Sequence, residues 1–245
     1  MRIPERGDGR AVNHPNSIVL ASHQPDFFPW MGYFYKMFRS DLFVFSDNVL
    51  YSKTGRHNYN DILTANGPHR FTIPIHYHVR NLNEIHLAVD ERTIDKMIKT
   101  LWQEYKKADY FSEVFPFIEW LLSCSLDIGN LADFNRCCIM HIAEKFGLTS
   151  SREFFLSSEL DLKERRDARC IEMCKVLGAN TYMSGEGAKD YHIEADYRKN
   201  GIYLVYTNYK PVTYKQVHSD FVPNMSVIDY VMNCGFNLPK EWNHR

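Results

Sequence analysis

Between Leu20 and Asp47 the chain reads LASHQPDFFPWMGYFYKMFRSDLFVFSD. Two apolar runs, SIVLAS (17–22) and DLFVFSD (41–47), have the length and composition of buried strands. Between them MGYFYKMFRS (31–40) places Tyr33, Phe34, Met37 and Phe38 at helical spacing. Strand, helix and strand in so short a span predict a βαβ unit, parallel and right-handed, because that crossover packs back onto its sheet with only one hand. The expected fold class is therefore α/β, a mainly parallel sheet begun by this unit. An ordinary unit of that kind has no need of SHQPDFFPW (22–30) at its first turn.

Further along, NVLYSKTGRHNYNDILTANGPHR (48–70) carries Gly, Asn and Pro signals and reads as a loop. FTIPIHYHVR (71–80) and NEIHLAVD (83–90) are β-rich runs expected to pair. From Glu91 to about Leu148 apolar residues recur at i, i+3 and i+4, which predicts a helical middle region, 91–148. REFFLSSEL (152–160) reads as a strand, and KERRDARCIEMCKVLGA (163–179) as a helix ending near Gly178. Residues 180–209 read as strand, glycine-containing turn, helix and strand, and SVIDYVMNCG (226–235) as a final helix stopped by Gly235. With no internal repeat and no long linker, residues 17–245 are expected to form one domain behind a loose polar tail, 1–16.

The composition, 44% hydrophobic and 24% charged, is ordinary for a globular chain. Lys+Arg 29 against Asp+Glu 30 leaves a net charge of -1, which removes any bulk attraction to nucleic acid or an anionic membrane. Function is therefore sought in a site. The aromatic content suits flat ligands or sugars and equally suits a bulky core. No run of about 18 apolar residues is present, and the polar start has no secretory apolar centre. The six cysteines sit mostly in helical segments without CxxC spacing, so they read as reduced core thiols of a cytoplasmic protein that takes no membrane partner.

In a parallel sheet ligands bind beyond the carboxyl ends of the strands, where His23 and Gln24 emerge. Both offer donor and acceptor groups, and Pro25 and Pro29 stiffen their loop. The bland alternative is a histidine that caps the helix. Asp47, ending the second strand, shares the sheet edge with His23 and would orient it, unless it only turns the chain. Arg56, Asn58 and Asn60 suit hydroxyls, carboxylates or phosphates. In YMSGEGAKDY (182–191), Ser184 and Gly185 resemble an anion site at a helix start, with Lys189 and Tyr191 adding a charge and a ring. The spacing matches neither a P-loop nor a dinucleotide fingerprint. His76 and His78 in HYH, with His86, read as exposed strand histidines, so no metal and no cofactor is expected.

These pieces occur in a recognisable order. HQPDFFPWMGYFYKM, SDLFVFSDNVLYSKTGRHNYNDI, FTIPI, SSEL, ARCIEMCKVLGANTYMSGEGAKDY, YKQV and FVPNMSVIDYVMNCG resemble the WbqC-like protein family over roughly Ser17 to Gly235. Its marks fall on His23, Gln24, Pro25, Pro29, Trp30, Gly32, Asp47, Asn58, Asn60, Thr72, Pro74 and Arg169, then Ser184, Gly185, Tyr191, Gln216, Ser226 and Asp229. One departure is Tyr59, where members usually carry Arg between the two asparagines. The resemblance implies work in polysaccharide or secondary-metabolite biosynthesis, with some members proposed to attach glycine or another acyl group to an amino sugar.

The function expected on that basis is acyl or aminoacyl transfer to an amino sugar or related amine. The donor would be an activated thioester or aminoacyl-tRNA, and transfer would be direct. His23 is expected to act as base, with Asp47 behind it. Gln24, Trp30, Arg56, Asn58, Asn60, Ser184, Gly185, Lys189, Tyr191 and Gln216 are expected to bind substrate. Two alternatives stand beside it. One is an ATP-using, nucleotidyl-transferase-like enzyme. The other is a carbohydrate- or nucleotide-sugar-binding protein without catalysis.

Overall fold

The computed structural model describes residues 17–77, 80–218 and 220–242. The tail expected over 1–16 and the histidine at 78 lie outside them. β1 (Val19–His23), α1 (Met31–Arg39) and β2 (Leu42–Phe45) form the expected unit, parallel from Leu20↔Leu42 to His23↔Phe45. β5 (Glu153–Leu156), β6 (Thr181–Ser184) and β7 (Tyr203–Tyr206) complete a parallel sheet in the order β5-β2-β1-β6-β7.

The strands alternate between two cores, as a sheet covered on both faces requires. Ala21, Phe43, Phe45 and Met183 face one core. α1 closes that side together with α2 (Glu91–Tyr105), α3 (Phe111–Ser123), the short α4 (Ser125–Ile128), α5 (Leu131–Lys145) and α8 (Val227–Cys234). Leu20, Val44 and Tyr182 face the other core, under α6 (Arg166–Val176) and α7 (Glu194–Lys199). The helical middle region is thus confirmed, and α8 stops at Gly235 with φ 67°.

Two expectations over 48–90 are corrected. Part of the predicted loop is an antiparallel hairpin of β3 (Tyr59–Thr64) and β4 (Gly67–Thr72), in register from Tyr59↔Thr72 to Thr64↔Gly67. Gly67 supplies the turn with φ 95°. Among the described residues, the runs 71–80 and 83–90 meet through the bridge Ile75↔Leu87 and the bonds His76 N–H to His86 O and Ala88 N–H to Pro74 O, both 2.9 Å. Pro74 has no N–H to give, so no ladder extends there.

Candidate functional site

Counted from the edge, the sheet runs third, second, first, fourth and fifth strand, so the winding reverses between β1 and β6. At that reversal helices leave in opposite directions and a crevice opens beyond the strand ends. A cavity of about 540 Å³ occupies it. His23, Gln24, Trp30, Ser184 and Gly185, all expected from the sequence, line it. So do Tyr33, Lys36, Tyr209 and His192, which were not foreseen.

The first turn is held tightly. Tyr33 Oη donates to the Gln24 carbonyl at 3.0 Å, and Lys36 Nζ to the Ser22 carbonyl at 2.9 Å. His23 Nδ1 lies 3.1 Å from the Gln24 carbonyl, so Nδ1 carries the proton and Nε2 remains the acceptor. Burial lowers the His23 pKa to about 4, Asp26 opposing and Lys36 assisting. Burial also lowers Lys36 to about 8, against Cys170 and Asp26. Trp30 packs edge-on against Tyr209, centroids 5.1 Å apart. Its indole lies so close over Gly32 that a Cβ there would stand 2.5 Å from Cη2. Glycine is what lets the ring lie flat against α1.

Asp47 does not reach His23. Its carboxylate accepts from Ser157 Oγ at 3.1 Å, Ser158 N–H at 3.0 Å and Ser158 Oγ at 2.6 Å, which pins the turn after β5. The carboxylate beside His23 is Asp26, 3.6 Å from Nδ1, whose other oxygen is 3.0 Å from His57 Nδ1. Asn58 and Asn60 are buried scaffolding. Asn58 bonds Tyr51 Oη and the Ile73 carbonyl, while Asn60 Nδ2 donates to the Phe28 carbonyl at 2.9 Å. That bond steadies Phe28, whose φ of 38° is rare for a residue with a side chain. Arg56 pairs with Asp61, and Gln216 Nε2 donates to Asp229 Oδ2 at 2.8 Å. Lys189 lies over the Tyr206 ring, and Tyr191 is 81% exposed. At the departure, Arg70 stacks 4.0 Å over the Tyr59 ring. None of these residues lines the cavity.

On the β6 side Ser184 Oγ and His192 Nε2 are 2.7 Å apart, and His192 Nδ1 and Asp167 Oδ1 2.6 Å. The segment singled out in the sequence stops at Tyr191, one residue short of His192. Asp167, in the first turn of α6, carried no motif that would have found it. Lys36 did leave a signal: it stands three residues after Tyr33 on the apolar face of α1.

The fold and the cavity define an α/β protein with a polar, ring-lined cleft at the switch point of a parallel sheet. The chain belongs to the WbqC-like protein family, whose model matches residues 24–241. It is 28% identical over 229 residues to the uncharacterized protein Rv1507c of Mycobacterium tuberculosis, covering 90% of this chain and 95% of that one. No solved structure gives a significant match. Among the described residues no helix is long and apolar enough to cross a membrane.

Proposed function

We propose that the protein transfers an acyl or aminoacyl group from an activated thioester or aminoacyl-tRNA to the amine of an amino sugar or related acceptor. The observation that carries this reading is the pairing, in one cavity, of aromatic rings with two nitrogen groups whose protonation is tuned. Trp30 and Tyr209 offer a platform for the apolar face of a sugar ring. His23 is neutral at pH 7 and, with its Nδ1–H given to the Gln24 carbonyl, presents Nε2 as an acceptor to a hydroxyl. With a pKa near 4 it is poorly matched to taking a proton at neutral pH, so the base moves to Lys36. Lys36 at about 8 exchanges protons readily near neutrality, and it strips the acceptor ammonium so that a neutral amine attacks. Membership of the WbqC-like family supports the same chemistry through the members proposed to acylate amino sugars.

The test is an assay of acyl-thioesters and aminoacyl-tRNAs against nucleotide-linked amino sugars, with Lys36→Met beside the wild type. The expected loss in kcat/KM is about 10²–10⁴-fold, and the melting temperature is recorded beside it, since Met also removes the bond to the Ser22 carbonyl. Unchanged transfer by Lys36→Met removes Lys36 from the chemistry. A second reading, use of ATP, is favoured by the strand order alone, because nucleotides occupy such switch points. Calorimetry with ATP and Mg²⁺ decides it. Tight amino-sugar binding without turnover on any donor would favour a carbohydrate-binding protein.

A further inference from the structure

We infer that Ser184 is a covalent nucleophile, activated by His192 and Asp167, and that the acyl group passes through an acyl-serine. The inference rests on the transfer reading above and replaces its direct route from donor to acceptor, but its first half-reaction can be read without any acceptor. Ser184 ends β6 and lines the cavity together with His192. Asp167 Oδ1 accepts the hydrogen bond from His192 Nδ1–H, which leaves Nε2 as acceptor for the Ser184 hydroxyl. Nucleophile, base and tautomer-fixing carboxylate are recognised by this geometry and not by their order in the chain.

The carboxylate is itself aimed. Ile193 N–H donates to Asp167 Oδ2 at 2.7 Å and Tyr197 Oη to Oδ1 at 3.3 Å. The side chains of His192 and Asp167 are 9% and 16% exposed, so the charge on an imidazolium meets a fixed, poorly hydrated partner. A strand precedes the serine and a 3₁₀ turn, Glu186–Tyr191, follows it, an arrangement related to a nucleophile elbow without its strained φ. Gly185, the next residue, offers a backbone N–H for the developing oxyanion, at the position after the nucleophile where such a donor is needed. The last paired residues, Ala21↔Met183, bring Ser22 alongside Ser184, one strand spacing or ~4.8 Å away. His23, the next residue, lines the same cavity as Ser184, so an acceptor held there shares the crevice with the acylated serine.

In the first step the Ser184 Oγ–C bond forms and the donor's carbonyl–sulfur or carbonyl–oxygen bond breaks. The Oγ proton moves to His192 Nε2 and on to the leaving group. In the second step the acceptor nitrogen forms the amide bond and the Oγ–C bond breaks. The nitrogen's proton returns through Nε2 to Oγ, so both steps balance without a further reactant.

The experiment treats the full chain with p-nitrophenyl acetate and, in parallel, a fluorophosphonate. The expected result is a burst of p-nitrophenolate and a single adduct mapped to Ser184 by peptide mass spectrometry. Ser184→Ala should lose the adduct, and Asp167→Asn should acylate about 10⁴-fold more slowly. Because Ser184→Ala also removes a bond to His192, its melting temperature is recorded. Ser184→Cys, which keeps a nucleophile in place, should retain the burst. No burst from the wild type, an adduct elsewhere, or an undiminished burst from Ser184→Ala overturns the inference. An adduct at Ser184 with no acylated amino sugar keeps the nucleophile and discards the acceptor. Transfer to an amino sugar by folded Ser184→Ala at the wild-type rate does the reverse.

Discussion

His23 was legible as a polar residue at the end of an apolar strand, and its environment defines what it does there. Burial lowers its pKa from 6.5 to about 4. Between those values the unfolded chain binds more protons than the folded one, so stability falls as the pH falls through that window. The full shift corresponds to about 3 kcal/mol, reduced by solvent because the side chain is 29% exposed. His23→Gln should therefore flatten the loss of unfolding free energy between pH 6.5 and 4 by about 1–3 kcal/mol. Denaturant titrations at several pH values measure this, and parallel curves for variant and wild type would refute it. Lys36 and His192 show the limit of reading single residues. One sits on an apolar helix face and the other just beyond a glycine turn, and only their neighbours in space bring them to the cavity.

Asp47 illustrates what is lost between an element and its surroundings. Its place at the carboxyl edge, level with the turn after β1, follows from the parallel register His23↔Phe45. The side on which its carboxylate finds partners does not, because β2 has β1 on one flank and β5 on the other. It binds the Ser157–Ser158 turn beside β5. Asp47→Ala should cost about 2–3 kcal/mol by stranding those donors, while amino-sugar affinity of the folded protein stays near wild type. A variant of native stability that has lost activity would return Asp47 to the site. Asn60, Arg56 and Gln216 follow the same logic. Their polar groups bond backbone carbonyls and carboxylates of the fold, and sequence alone does not separate that use from binding.

The placement of the cavity depends on strand order. Ser22 and Tyr182, 160 positions apart, share a hydrogen bond of 2.8 Å because β1 and β6 are neighbours. An amino-sugar ligand should therefore slow amide exchange in 23–24 and 184–192 together, and leave the β3–β4 hairpin unchanged. Exchange measured by mass spectrometry tests this, and protection confined to the hairpin would move the site.

Periodicity, glycine stops and the brevity of the first βαβ unit specified the helices, the parallel strands and the polar turn at 22–30, because those signals act between residues close in the chain. The hairpin escaped them, since YNDILT mixes polar and apolar residues without clean alternation. The meeting of His23, Lys36, Ser184, His192 and Asp167 around one crevice was left to the tertiary structure. It depends on which strands pair, and pairing is set by burying both faces of the sheet at once, a condition that no local stretch contains.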